Sequence, residues 1–246
     1  GTVNHPLKGA VKYPKFLGEA TTRPIPPGTD RREVVANWLA SPENPYFAKN
    51  LANIVCDHFF GRGIINPVDD VRIANPAVNP ALLEALGEHF TSYHYDFKRL
   101  VRDICTSRTY QLATSTNETN ELDEKNFSHA GIRRIRAEVL LDVINQSTDS
   151  KQKFRGLPLG SRAVQIADGR TTDYFLTTFG RATRETVCSC EVSMEPNLSQ
   201  AIHLLNGNTV QGKVTNGAVI GKMLAAKKSP QDIVSELYLR TLTRRP

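Results

Sequence analysis

Three groups of residues in this 246-residue chain have the types and spacing for chemistry. The first is Cys188-Ser189-Cys190-Glu191, followed by His203. Two thiolates and an imidazole are ligands for a soft or borderline metal, and Glu191 or Glu195 would supply a fourth donor. The paired C-x-x-C spacing of established zinc modules is absent, so zinc on Cys188, Cys190 and His203 is the weaker reading. The same two cysteines are candidates for a disulfide. A direct Cys188–Cys190 bridge closes a very small strained ring of the labile, redox-active kind. Pairing either one with Cys56 or Cys105 is equally allowed by counting.

The second group is the string GRGIINPVDDVR. There Asp69 and Asp70 stand beside Arg72, one turn after His58 and the FFG that ends its helix. Adjacent carboxylates with a nearby imidazole are candidates for general acid–base work or for holding a divalent cation, which makes His58, Asp69, Asp70 and Arg72 catalytic candidates. The structural alternative is stronger: paired acids in a loop cap helices and clamp arginines, and a His among Phe59, Phe60 and Ile54 packs as a core residue. The third group comprises Arg108, Arg181 and Arg184, whose planar guanidinium groups match carboxylate, phosphate or sulfate and are anion or ligand candidates. No C-x-x-C-H haem-attachment motif, nucleophile elbow, phosphate-binding loop, HExxH or dinucleotide fingerprint occurs, so no cofactor is expected within this chain.

Charge narrows the partners. Thirty-one basic against 25 acidic side chains leave a net +6 at a pI of about 9.2. Most of the excess lies between Arg133 and Arg184, where eight Arg and two Lys face five acids. This Arg-rich stretch suits carboxylate or sulfate partners such as an anionic polysaccharide. No Lys/Arg run with interleaved aromatics occurs, so nucleic acid is not an expected partner. No apolar run approaches the ~20 residues of a membrane-spanning helix.

The elements that must position these residues read as helices. Residues 1–29 carry five Pro and four Gly and are expected to form an extended arm. From residue 30 to 246 a single helical domain is expected. Asp30, Asn44, Asn79 with Pro80, Asp96, and Ser229 with Pro230 and Asp232 each signal a helix start, and Gly61 signals a stop. Apolar residues at helical spacing place Phe47, Leu51, Ile54, Val55, His58 and Phe59 on one face of the second helix. The stretch 113–131 reads as a polar loop. Residues 150–195 are irregular: RAVQIAD is expected to form a short strand and TTDYFLTTF one or two helical turns. The fold class is mainly α, a multi-helix domain with an irregular Gly/Pro/Arg-rich insertion.

The strings NPYFAKNLANIVCDHFFGRGIINPVDDVR, LVRDICTSRTYQL, RAEVLLDVINQ, YFLTTFGRATRETVCSCE, LSQAIHLLNG and SELYLRTLTRRP, in this order, resemble the family called Planctomycete-specific domain one, or domain of unknown function 1553. The resemblance runs from about Val3 to Pro246. It implies no known reaction. It implies a domain cut from a longer exported protein of planctomycete type, located in the periplasm, cell envelope or outside the cell. Such proteins carry a haem c-type domain elsewhere, so the chain would be cytochrome-associated, with other domains of the same protein as its partners. An exported location favours a disulfide at Cys188 and Cys190 over a metal. Where the family often has Trp before the HFFG string, this chain has Cys56, which is thereby a further functional candidate.

Overall fold

A computed structural model describes residues 3–22, 25–185 and 192–246. The chain is mainly α and divides into two compact units, 1–132 and 133–246. Among the described residues no helix is long and apolar enough to cross a membrane.

Unit 1 begins with the Pro/Gly-rich arm. Two two-residue strands, β1 (Val3–Asn4) and β2 (Val11–Lys12), pair antiparallel within it. Further along, the Phe16 ring stacks on Trp38 at 4.8 Å. Four helices follow: α1 (Arg31–Leu39), α2 (Phe47–Phe60), α3 (Pro80–Ser92) and α4 (Phe97–Cys105). Their starts follow from side-chain acceptors that satisfy otherwise unpaired first-turn amides. Asp30 accepts from Arg32 N, Asn79 from Leu82 N and Asp96 from Arg99 N. Asn44 accepts from both Tyr46 N and Phe47 N. Gly61 ends α2 in the left-handed region at φ +80°.

The core of this unit is Ala52, Val55, Cys56, Ile64, Phe90, Leu100 and Ile104 with their neighbours. The buried face of α2 overlaps the expected one: Val55 is buried and Leu51 and Phe59 pack on the core, joined by Ala48, Ala52, Asn53 and Cys56, whereas Ile54 and His58 are exposed. Small residues at 48 and 52 let α3 approach closely, and the aromatic rings at 47, 59 and 60 cover the flanks. Gly87 lies against the Lys49 side chain; a Cβ there would stand 2.7 Å from Lys49 Cγ.

Unit 2 is built around α5 (Ala137–Thr148), with α6 (Tyr174–Thr178), α7 (Leu198–Asn206), α8 (Asn208–Asn216), α9 (Ala218–Ala225) and α10 (Pro230–Leu242). Its core joins Ala137, Leu141, Phe154, Ala163, Ile166, Phe175, Leu176 and Phe179. The expected turns at TTDYFLTTF are α6, capped by Asp173 on Leu176 N. RAVQIAD is not a strand. Ala163–Gln165 form a 3-10 turn, because the buried Asp142 carboxylate of α5 accepts successive amides from Ala163 (2.6 Å) and Val164 (3.3 Å). Two acceptors on one carboxylate bend the chain where alternating apolar residues would have extended it.

Candidate functional site

In unit 1, the turn after α2 carries the Asp pair. Asn53, 1% exposed on α2, acts as a surrogate strand for Ile65: its Nδ2 donates to Ile65 O (3.1 Å) and its Oδ1 accepts from Ile65 N (2.8 Å). Gly63 is required beside it, since a Cβ there would lie 2.4 Å from Ile65 O. Asn75 Nδ2 closes the next turn on Asp70 O at 3.0 Å. Asp70 receives the guanidinium of Arg72 on both oxygens, Nε to Oδ1 at 2.5 Å and Nη2 to Oδ2 at 3.0 Å. Of the catalytic candidates, then, Asp70 and Arg72 clamp each other, Asp69 is exposed, and His58 is exposed with its ring edge-on to Phe59 at 5.2 Å. Among the described residues, no group of three or more His, Cys, Asp and Glu is placed to hold a metal ion.

The polar stretch 113–131 is an organised loop. The Asp123 carboxylate accepts the backbone amides of Lys125 (2.9 Å), Asn126 (2.8 Å) and Ser128 (3.2 Å), and Asp123 O meets His129 Nε2 at 3.0 Å. Arg62 donates to Glu124 O. The Ser128 hydroxyl, the largest contribution, and then the amides of Asn126 and Lys125 hold the Asp123 carboxyl far below the usual carboxylate range. The turn places Phe127 at φ +58° with its ring 5.3 Å from Phe60.

A group whose folded pKa is depressed stabilises the fold above its unfolded pKa, and this contribution is lost as pH falls toward the folded value. Asp123→Asn is expected to open the loop at neutral pH as acid would in the parent. Limited proteolysis should cut between residues 113 and 131 in the variant and spare the parent. Equal cutting rates would refute the role of Asp123.

Phe127 forms one wall of a cavity of about 280 Å³ in unit 1. Its floor is Cys56, Ile64 and Ile104, and Asp103, Ser107 and Thr109 stand at its edge. Burial pushes the Cys56 thiol up to about 12. Of the string Ser107-Arg108-Thr109, the hydroxyl residues line this cavity; Arg108 is exposed and lies outside the lining. Sequence reasoning missed Asp103 and Phe127. The available signal was Phe127 itself, the one Phe, Tyr or Trp in residues 113–131.

In unit 2 the arginines of the irregular segment hold carbonyls. Arg181, whose side chain is 4% exposed, donates from Nη2 to Asp168 O (2.9 Å) and Ile166 O (3.2 Å) and from Nη1 to Thr171 O (3.4 Å), and its Nε faces Glu138 Oε1 at 3.4 Å. Arg184 donates to Ala167 O at 2.9 Å. Arg134 donates to Phe179 O (3.0 Å), Glu195 O (3.1 Å), Gln200 Oε1 (2.5 Å) and Ser193 O. Gly180 and Ser193 meet there as well: Ser193 N donates to Gly180 O at 3.2 Å, and at Gly180 (φ +78°) a Cβ would lie 2.1 Å from Ser193 O. The two anion candidates in this unit thus act as internal ties.

His203, on α7, is buried among Tyr174, Phe175 and Phe179 with ring centroids 5.3–6.1 Å apart. Its Nε2 is buried and has no hydrogen-bond partner among the described residues. Cys188 and Cys190, with the metal and disulfide expectations placed on them, lie outside the described residues. A polar groove of about 800 Å³ runs beside α5 and α10. Its charges are paired, Arg162 with Asp142 at 3.5 Å and Arg240 with Glu236 at 3.1 Å.

The architecture defines a mainly α protein of two helical units whose inward-facing arginines brace loops. By sequence, the chain belongs to the family described as protein of unknown function DUF1553 (PSD1), whose profile matches residues 31–246. No match was found among curated proteins or among solved structures.

Proposed function

We propose that the chain is a structural docking module whose C-terminal helices seat against other domains of a longer, exported, cytochrome-associated protein of planctomycete type. One observation carries this reading: α7 is inverted. Its buried residues are Gln200 and His203, while Leu198, Ile202 and Leu205, at helical spacing along another face, are 75%, 52% and 69% exposed. Contiguous apolar surface on a helix marks a contact site. Exposed Ile220 and Leu224 on α9 and Val234, Tyr238 and Leu242 on α10 add apolar spacing of the same kind. The charges lining the polar groove are already paired, which favours a partner domain over an anionic glycan.

Hydroxyl-radical footprinting of this chain alone and within a longer polypeptide that contains it tests the reading. Leu198, Ile202 and Leu205 are expected to oxidise several-fold more slowly in the longer protein. Equal rates would remove the docking role. Leu205→Asp should leave the stability of the isolated chain within about 0.5 kcal/mol, as for other surface positions.

The alternative is a metal- or thiol-dependent enzyme domain centred on Cys188 and Cys190. It draws support from the buried Nε2 of His203, which has no partner among the described residues, since a buried polar atom is ordinarily satisfied. Stoichiometric zinc, copper or iron in untagged protein, lost on Cys188→Ser, would establish it over the docking reading.

A further inference from the structure

The cavity of unit 1 has the attributes of a small-molecule site, and none of the docking surfaces involves it. Its floor is apolar and deeply buried: Cys56, Ile64 and Ile104 are each no more than 4% exposed. The rings of Phe60 and Phe127 flank it, and Leu82, partly exposed on α3, stands among the lining residues. At about 280 Å³ it exceeds the ~150 Å³ that suffices for a benzene ring in an apolar protein interior and falls near the lower end of the ~300–1,000 Å³ typical of ligand sites. One ring, or two fused rings, with a single small substituent fits.

The lining also selects chemistry. Asp103 is its one formally charged residue, and it also interacts by hydrogen bond with the Tyr93 side chain. A carboxylate has about four acceptor sites and no donor, so it can receive a ligand O–H or N–H beside the tyrosine. The same charge, exposed at the edge of the cavity, repels an anionic ligand. Cys56, raised to about 12, stays protonated at neutral pH and contributes a small apolar surface, not a nucleophile. The Asp123 turn holds Phe127 in its left-handed conformation, so this wall stands preformed.

We propose that the cavity lined by Cys56, Phe60, Ile104, Phe127 and Asp103 binds a neutral, ring-sized apolar molecule bearing one hydrogen-bond donor, of the phenol or indole class. The ring lies against Phe60 and Phe127, and its donor reaches Asp103 or the Ser107 hydroxyl.

Saturation-transfer NMR on the full chain with phenol, indole, benzoate and octanoate tests this. Phenol and indole are expected to receive saturation and to raise the melting temperature, with benzoate and octanoate at least tenfold weaker. Leu82→Trp, which adds a ring at a partly exposed position of the lining, should abolish phenol transfer while the circular dichroism spectrum stays unchanged. Val78→Trp serves the same purpose if the first variant does not fold. Asp103→Asn should bring benzoate binding up to that of phenol. The proposal is overturned by absence of transfer to phenol and indole at millimolar concentration. It is equally overturned if benzoate matches phenol in the parent, or if phenol binding persists in a folded lining variant.

Discussion

Arg181→Met is expected to destabilise unit 2 by about 3–5 kcal/mol, the cost of leaving one partner of a buried ion pair uncompensated. The side chain is 4% exposed and ties three carbonyls together while facing Glu138, which is itself only 20% exposed. Methionine restores the aliphatic bulk but offers no donor, so Asp168 O and Ile166 O lose their charged partner and Glu138 keeps a desolvated charge. Lysine brings back the charge without the planar fork and should recover only part of the loss. The double variant Arg181→Met/Glu138→Gln should be less destabilised than Arg181→Met alone, since the stranded carboxylate is gone. Urea unfolding followed by circular dichroism measures the loss, and hydrogen exchange locates it in residues 137–148 and 174–178. A change below about 0.5 kcal/mol, the range of ordinary surface positions, would show that the guanidinium is dispensable.

Asn53→Leu is expected to cost about 3 kcal/mol, localised to unit 1. The leucine matches the volume, yet it strands both the amide and the carbonyl of Ile65, each worth ~1–3 kcal/mol when buried without a partner. Asn53→Asp should do no better, because a second acceptor then faces Ile65 O and the site is closed to water. Trp38, the one tryptophan of the chain, stacks on Phe16 and lies in the same unit, so its fluorescence follows this transition. If Asn53→Leu unfolds at the parental urea midpoint, the turn that carries Asp69, Asp70 and Arg72 is held by something other than Asn53.

What could be read from the sequence was local. Caps at Asp30, Asn79, Asp96 and Ser229 act within three residues of themselves, and each stands where the pattern placed it. The mainly α class followed from those signals together with the helical spacing. The face of α2 was legible in part: Leu51, Val55 and Phe59 meet the core, but Ala48, Ala52 and Asn53 carry little hydrophobic weight and are inward only through what packs on them. RAVQIAD misled for a related reason: its alternation is strand-like, and the carboxylate that bends it lies 21 residues earlier, at Asp142. Helix α8 was also unread, since NTVQGKVTN is polar and buries none of its residues. The site followed the same division. Arg181 and Arg184 were visible as charge, but their partners are backbone carbonyls, which every sequence possesses and none advertises. The cavity depends on Phe127, whose direction is set by an Asp123 turn built from amides.

The contact between Gly180 and Ser193 sets the evolutionary freedom of one position. At residue 180 there is none to speak of, because even a methyl group would collide with Ser193 O. Phe179 and Ser193 are held together at this place by that contact and by Arg134, which grips Phe179 O and Ser193 O. A side chain at 180 would therefore push Ser193 away from Phe179 and loosen the Arg134 tie that joins the end of α6 to Gln200 on α7.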